Sequence, residues 1–260
     1  MLEIIDHGSV REIRMSRPPA NALSPELVVA LDAALAEAPA AGARAIVLSG
    51  LPGIFSGGLD VPRLLGLARP EIEAAWGRFL ALVHRLTTSP VPIAAAITGH
   101  ATAGGCVLPL YCDARFMARG KAGKDGGFRE FSIGVNEVAV GLPMPSVIVP
   151  ALARIVGERQ AERMCVSAEL LAASEAYRIG LVDELLPLEE TVGRAVAWCR
   201  GLAELPPEAL RRTRVQVRVG LVAAVEAAMA VDARAFVESW FGEEAQGALA
   251  ALVARLAKKG

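Results

Sequence analysis

Residues 86–112, LTTSPVPIAAAITGHATAGGCVLPLYC, run without a single Asp, Glu, Lys or Arg. A stretch of this length is long enough to suggest a helix crossing a bilayer. Pro90, Pro92, Gly99, Gly104, Gly105 and Pro109 argue otherwise, as do Thr87, Thr88, Thr98 and His100. Breakers and polar groups at this density would leave backbone groups unsatisfied in lipid. The segment therefore reads as a buried strand at 92–97, a glycine-rich turn and a buried helix, in a soluble protein.

Working outward, strands and helices alternate. Residues 2–6 and 10–15 read as strands around a turn at His7–Ser9, and Ala45–Ser49 (AIVLS) as a buried strand. Helix 24–38 starts on Ser24 as N-cap with Pro25 at its first position, and Leu27, Val28, Leu31 and Leu35 share one face. A loop at 50–58 and a helix at 70–87 lie between the two buried strands. This order predicts an α/β fold with parallel pairing. After a strand near 181–186, residues 188–204, 206–219, 221–240 and 243–258 read as helices separated at Pro206–Pro207, Gly220 and Gly242. The change of class divides the chain into a core over 1–200 and a helical subdomain over 201–260. Glycine-rich, charged Arg119–Glu130 reads as a mobile loop.

The 260 residues are 53% hydrophobic and 21% charged, enough apolar material for a large core. With 27 Lys and Arg against 28 Asp and Glu, a general nucleic-acid or membrane-surface binder is disfavoured. Cys106, Cys112, Cys165 and Cys199 form no CxxC pair and have no His at ligand spacing, so no metal site is expected and a reducing, cytoplasmic setting fits. The N-terminus carries no signal-peptide pattern.

Two glycine-bearing turns stand out: Phe55-Ser56-Gly57-Gly58-Leu59-Asp60, and Gly99-His100-Ala101-Thr102-Ala103-Gly104-Gly105-Cys106. Each follows a buried strand, and the second opens a helix whose N-terminal amides carry partial positive charge. Two converging amides would make an oxyanion hole for a carbonyl that becomes an enolate. Glycine-rich turns are mostly only turns, so both readings stay open on this pattern alone.

The segments Asn21-Ala22-Leu23-Ser24, Ala45–Gly50, Phe55–Asp60, Ala103–Cys106 with Cys112-Asp113, Gly134–Glu137 with Gly141, and Ala173–Ala176 with Gly180–Asp183 stand in a fixed order and spacing. In that order the chain resembles the enoyl-CoA hydratase/isomerase (crotonase) superfamily from about residue 10 to its end. The resemblance implies a crotonase-like spiral of ββα turns with a helical C-terminal part used in trimerisation, as a homotrimer or dimer of trimers. It implies an acyl-CoA thioester as substrate, coenzyme A belonging to the substrate and no separate cofactor. It puts the two oxyanion donors at the Leu59 and Gly104 amides, the thioester and pantetheine end of CoA along Gly58, Leu59, Asp60 and Val61, and the adenine beside Ala22.

Family hydratases carry two glutamates across the substrate double bond. At the first of those positions this chain has Val107, and at the second Glu137. Hydration suits two coupled acid–base groups, whereas moving a double bond from C3–C4 to C2–C3 needs one. Ile133–Glu137, and the apolar residue after Ala-Gly-Gly-Cys, also look more like the Δ3,Δ2-enoyl-CoA isomerases. The expectation is an isomerase with Glu137 as sole proton shuttle, its pKa raised by apolar surroundings. Val107 also reads as ordinary core packing in a member with its second acid elsewhere. A hydratase or other acyl-CoA lyase with one glutamate is the alternative, and a catalytically weak binding protein of the same fold a third.

His100 reads as a packed, hydrogen-bonded histidine, and Ser56 lies in no G-x-S-x-G elbow. Arg211, Arg212, Arg214 and Arg218 form a basic cluster, ordinarily a solvated face and alternatively a partner for CoA phosphates. Three features depart from the family pattern. Pro109 should kink the helix from Gly104, Leu59 is larger than usual, and 119–130 is long and is expected to cover the acyl tunnel.

Overall fold

The computed structural model describes residues 1–123 and 125–258. The chain winds through successive ββα passes: β1 (Leu2–His7), β2 (Val10–Met15) and α1 (Pro25–Ala40); then β3 (Ala45–Ser49), β4 (Gly53–Ser56), short α2 (Val61–Leu64) and α3 (Arg69–Thr88); then β5 (Ile93–Ile97), β6 (Gly99–Thr102) and α4 (Gly104–Leu110). A further pass holds β7 (Ala114–Ala118), a hairpin of β8 (Gly120–Ala122) and β9 (Phe128–Glu130), β10 (Ser132–Gly134), a 3₁₀ turn at Val138–Val140, and α5 (Ile148–Val156). The remainder is α6 (Glu158–Ser167), β11 (Leu171–Ala172), α7 (Ala173–Arg178), β12 (Glu184–Leu186), α8 (Leu188–Ala203), α9 (Pro207–Trp240) and α10 (Glu243–Ala257).

From the second pass onward the two strands part company. β3, β5 and β7 enter a six-stranded sheet ordered β1-β2-β3-β5-β7-β12, while β4, β6 and β10 enter a four-stranded sheet ordered β11-β10-β6-β4. Within these two sheets pairing is parallel except at β1–β2 and β10–β11. Central strands β3, β5 and β7 are buried throughout, as expected of parallel strands covered on both faces. Alternate residues divide between two cores: Ile46, Leu48, Ile93, Ala95 and Ile97 face the main core, whereas Val47, Ala94, Ala96 and Phe116 face Ala195, Val196 and Cys199 of α8.

The uncharged run became the end of α3, then β5, β6 and α4, and among the described residues no helix is long and apolar enough to cross a membrane. Four expectations are corrected. Gly220 is no boundary: Pro207–Trp240 is one helix of 34 residues. Glycine inside a helix costs only about 1 kcal/mol, which packing of α9 along α3 and α5 outweighs. Pro109 lies in the last turn of α4, so it ends a short helix instead of kinking a long one. The segment 119–130 is the β8–β9 hairpin, not a loop, with Lys124 outside the described residues.

The arginine cluster is not one solvated face. Arg211 and Arg212 pair with Glu208 at the surface, but Arg214 and Arg218 are buried. Arg214 Nε and Arg218 Nη2 each donate to Asp113 Oδ1 at 2.8 Å, and the Ile93 N–H donates to Asp113 Oδ2 at 2.8 Å. These bonds clamp α9 to the start of β5 and the end of α4.

Candidate active site

The site is assembled where the two glycine turns meet. Asn21, with φ of 46°, is wholly buried and ties the first turn together. Its Nδ2 donates to the carbonyls of Met15 at 3.0 Å and Phe55 at 3.1 Å, and Ser56 Oγ donates to the Asn21 carbonyl at 2.8 Å. Gly58 follows with φ of 87°, a conformation that glycine adopts without steric cost. A Cβ there would lie 2.9 Å from Thr102 O and 3.1 Å from Gly104 N, so the turns touch with no room for a side chain.

Among the amides of Gly58–Val61, three are spent inside the protein. Gly58 N–H donates to Ser56 Oγ, Asp60 N–H to Leu23 O, and Val61 N–H to Leu59 O. The Leu59 N–H has no acceptor among the described residues. The N–H of Gly104, first residue of α4, has no acceptor among the described residues either, as is normal at the start of a helix. A Cβ placed on Gly104 would lie 3.5 Å from Leu59 N, which sets the two free amides side by side. The turn before Gly104 is strained: Ala103 has φ of 48° and ψ of −126°. Its N–H donates to Gly134 O at 2.9 Å, linking this turn to the strand that leads to Glu137. Strain at a non-glycine residue of this kind costs about 1–3 kcal/mol and persists only where the surroundings hold it.

Glu137 enters from β10 into the 3₁₀ turn, which packs against α10. The Val140 and Leu142 N–H groups both donate to its carbonyl, at 3.0 and 3.2 Å. The side chain is buried, the residue being 8% exposed, and its Oε2 has no hydrogen-bond partner among the described residues. Burial pushes the carboxyl up to about 7, against a smaller lowering by the Glu137 and Asn136 backbone N–H groups. Burial first, and the Glu137 charge second, also push the Cys106 thiol on α4 upward. Val107 is 1% exposed and belongs to the main core.

Of the other expected positions, Ala22 is half-buried, its carbonyl accepting from Ser24 N–H at 2.9 Å and Arg17 Nη1 at 3.2 Å. Asp60 caps α2 through Arg63 N–H and pairs with Arg17 Nη2 at 2.6 Å, so it is already engaged. His100 is a packing residue: its Nδ1 meets Ser132 Oγ at 2.8 Å and accepts from Ser132 N–H at 3.0 Å, with Phe131 edge-on. Burial, with Lys121 nearby, lowers its pKa. All four cysteines are free and buried, and no group of three or more His, Cys, Asp or Glu among the described residues is placed to hold a metal ion.

A family model for enoyl-CoA hydratase/isomerase matches residues 6–256. The chain belongs to that family. It is 28% identical over 253 residues to the human mitochondrial enoyl-CoA delta isomerase 1, covering 96% of this chain and 80% of the relative. It is 32% identical to a putative enoyl-CoA hydratase of Thermus thermophilus, covering 81% of each. The crystal structure of the human mitochondrial delta3-delta2-enoyl-CoA isomerase superposes with a TM-score of 0.90 at 27% identity, over 99% of this chain and 98% of that one. As a member of the enoyl-CoA hydratase/isomerase family, this chain has the α/β fold with a helical C-terminal region that its motifs implied.

Two parts of the site escaped sequence reasoning. Asn21 was visible only as one letter of a family motif, although an Asn between a strand and a helix is a fair signal for a left-handed turn residue. The apolar pocket beside Leu59 draws on α1, α2, α3 and α9, and no local pattern announces such a convergence.

Proposed function

We propose that this chain moves the double bond of a 3-enoyl-CoA to the 2-position, with Glu137 as sole proton carrier. The reading rests above all on Glu137, a buried carboxyl with an unpartnered oxygen and a pKa near 7, in a chain with valine where a second acid would stand. The thioester oxygen accepts from the Leu59 and Gly104 N–H groups, which stabilise the charge that develops there. The Glu137 carboxylate takes a proton from C2, and the electron pair spreads into a dienolate whose oxygen stays on those amides. The carboxyl then gives the proton to C4, the C2–C3 double bond closes and the carbonyl re-forms. One proton leaves and one returns, and no water is consumed. Backbone along Gly58–Val61 and beside Ala22 would take the pantetheine and adenine ends of coenzyme A.

Glu137→Gln is expected to lower the conversion of 3-hexenoyl-CoA to 2-hexenoyl-CoA by at least about a hundredfold, the usual weight of a positioned acid–base group. In the unaltered protein kcat/KM should fall on the acid side with a midpoint near the Glu137 value of about 7. An unchanged rate in the variant rejects the assignment. Relatives named as hydratases keep a second reading in play, and water addition to 2-enoyl-CoA at a rate matching isomerisation would select it.

We infer further that three chains, or two sets of three, assemble through the outer face of α9, where Val215 and Val219 stand exposed one turn apart with Val222 beside them. β-Branched apolar residues stacked on one helical face are more readily explained by a covered surface than by a solvated one.

A further inference from the structure

A narrow, apolar pocket lies beside Leu59, whose amide is one of the two left free. Leu59 lines it, and so does Leu23, whose Cδ1 would lie 3.2 Å from a Cβ on Gly104. Its wall includes Leu64 and three aromatic rings, Trp76 and Phe79 from α3 and Phe236 from α9, with aliphatic residues of α1 and α3 between them. A thioester held by its oxygen on Leu59 and Gly104 would send its acyl tail into this space. The space inside is about 20 Å³, room for about one water-sized group.

The rings that close it are fixed. Trp76 and Phe236 stack with centroids 3.8 Å apart and planes 11° from parallel. Phe79 continues the stack on one side, 5.2 Å from Trp76, and Trp240 flanks Phe236 on the other at 5.7 Å. Trp76 Nε1 donates to the Asp232 carbonyl at 3.0 Å, one turn of α9 before Phe236. The Asp232 carboxylate in turn accepts from the Ser146 and Val147 N–H groups at 2.8 and 2.7 Å. Neither ring swings aside without breaking a buried hydrogen bond or an aromatic stack, and close-packed interiors do not yield gradually.

We propose that the Trp76–Phe236 stack is the stop that sets acyl length, restricting this chain to short enoyl thioesters. The inference rests on the acyl-CoA reading above, so its test carries two readouts. The first is kcat/KM for 3-hexenoyl-CoA against 3-dodecenoyl-CoA. The second is the Kd ratio of hexanoyl-CoA to dodecanoyl-CoA by calorimetry, which needs no turnover.

The unaltered protein should favour the six-carbon chain by about tenfold or more in both, the scale on which a pocket rejects surplus methylenes. Phe236→Leu, and separately the milder Trp76→Phe, should shift both ratios toward the twelve-carbon chain by about tenfold. Equal treatment of the two lengths by the unaltered protein, or ratios that stay put in both variants, overturns the stop. If the Kd ratio shifts while no 3-enoyl thioester is turned over, the isomerase reading falls and the stop stands. If isomerisation proceeds and neither ratio moves, the stop falls alone. Failure of both acyl-CoAs to bind the unaltered protein removes both.

Discussion

Glu137 is ionised in the fold only at the expense of stability. Its carboxyl is raised from 4.5 to about 7 by burial, so the unfolded chain ionises first as pH rises. Below about pH 4 both states hold the proton and there is no penalty. The penalty grows between the unfolded and folded values, and above pH 7 it levels off at roughly 3 kcal/mol. Glu137→Gln, which cannot ionise, should therefore gain stability relative to the unaltered protein as pH rises from 4 to 8, by up to about that amount. Denaturant unfolding of both proteins at the two pH values measures it, and a difference independent of pH contradicts the buried, unpaired carboxyl. The variant that loses activity would be the more stable protein at pH 8, the trade expected where a site keeps an uncomfortable group for its chemistry.

At the scale of elements, α9 shows how packing overrides a local stop signal. Gly220 has no side chain to contribute and lies in open space, with nothing within 4 Å of a Cβ built there. The helix continues through it because Arg214 and Arg218 reach Asp113 just before it, and Leu221 and Val225 are buried just after it. Gly220→Ala should accordingly stabilise the chain by about 1 kcal/mol, read as a raised denaturation midpoint with an unchanged slope. A loss of stability would mean that the helix breaks at 220 after all. α4 teaches the converse: only seven residues long, it is held by β6 and α5 around it, and Pro109 merely fixes where it stops.

At the scale of the whole molecule, the exposed valines of α9 bear on assembly. Sedimentation equilibrium or light scattering should return the mass of three or six chains, and replacing Val219 by Asp should lower it toward one. A single-chain mass for the unaltered protein would leave those valines without a partner and reject the assembly inferred here. The same long helix reaches inward as well, because Phe236 closes the pocket beside Leu59 and Asp232 holds the chain segment after Glu137. The assembly and the length stop proposed for this protein thus share one element.

Local chemistry determined much of this protein from its sequence. Ser24 and Pro25 fixed the start of α1, and the buried runs read at 45–49 and 92–97 became the central strands β3 and β5, because cap geometry and hydrophobic period act over a few residues. The motifs around Leu59, Gly104 and Glu137 carried the family, which the comparisons then bore out. Tertiary structure decided what depends on residues far apart in the chain. Gly220 is helical, residues 119–130 form a hairpin, and Arg214 and Arg218 turn inward to Asp113, all through contacts that no local window contains. The pairing of the Leu59 and Gly104 amides, and the small aromatic pocket beside them, likewise exist only once two sheets and four helices have closed on one another. The physical reason is range: propensity and periodicity are read within a turn or a strand, whereas burial, free amides and shifted pKa values come from packing across the whole fold.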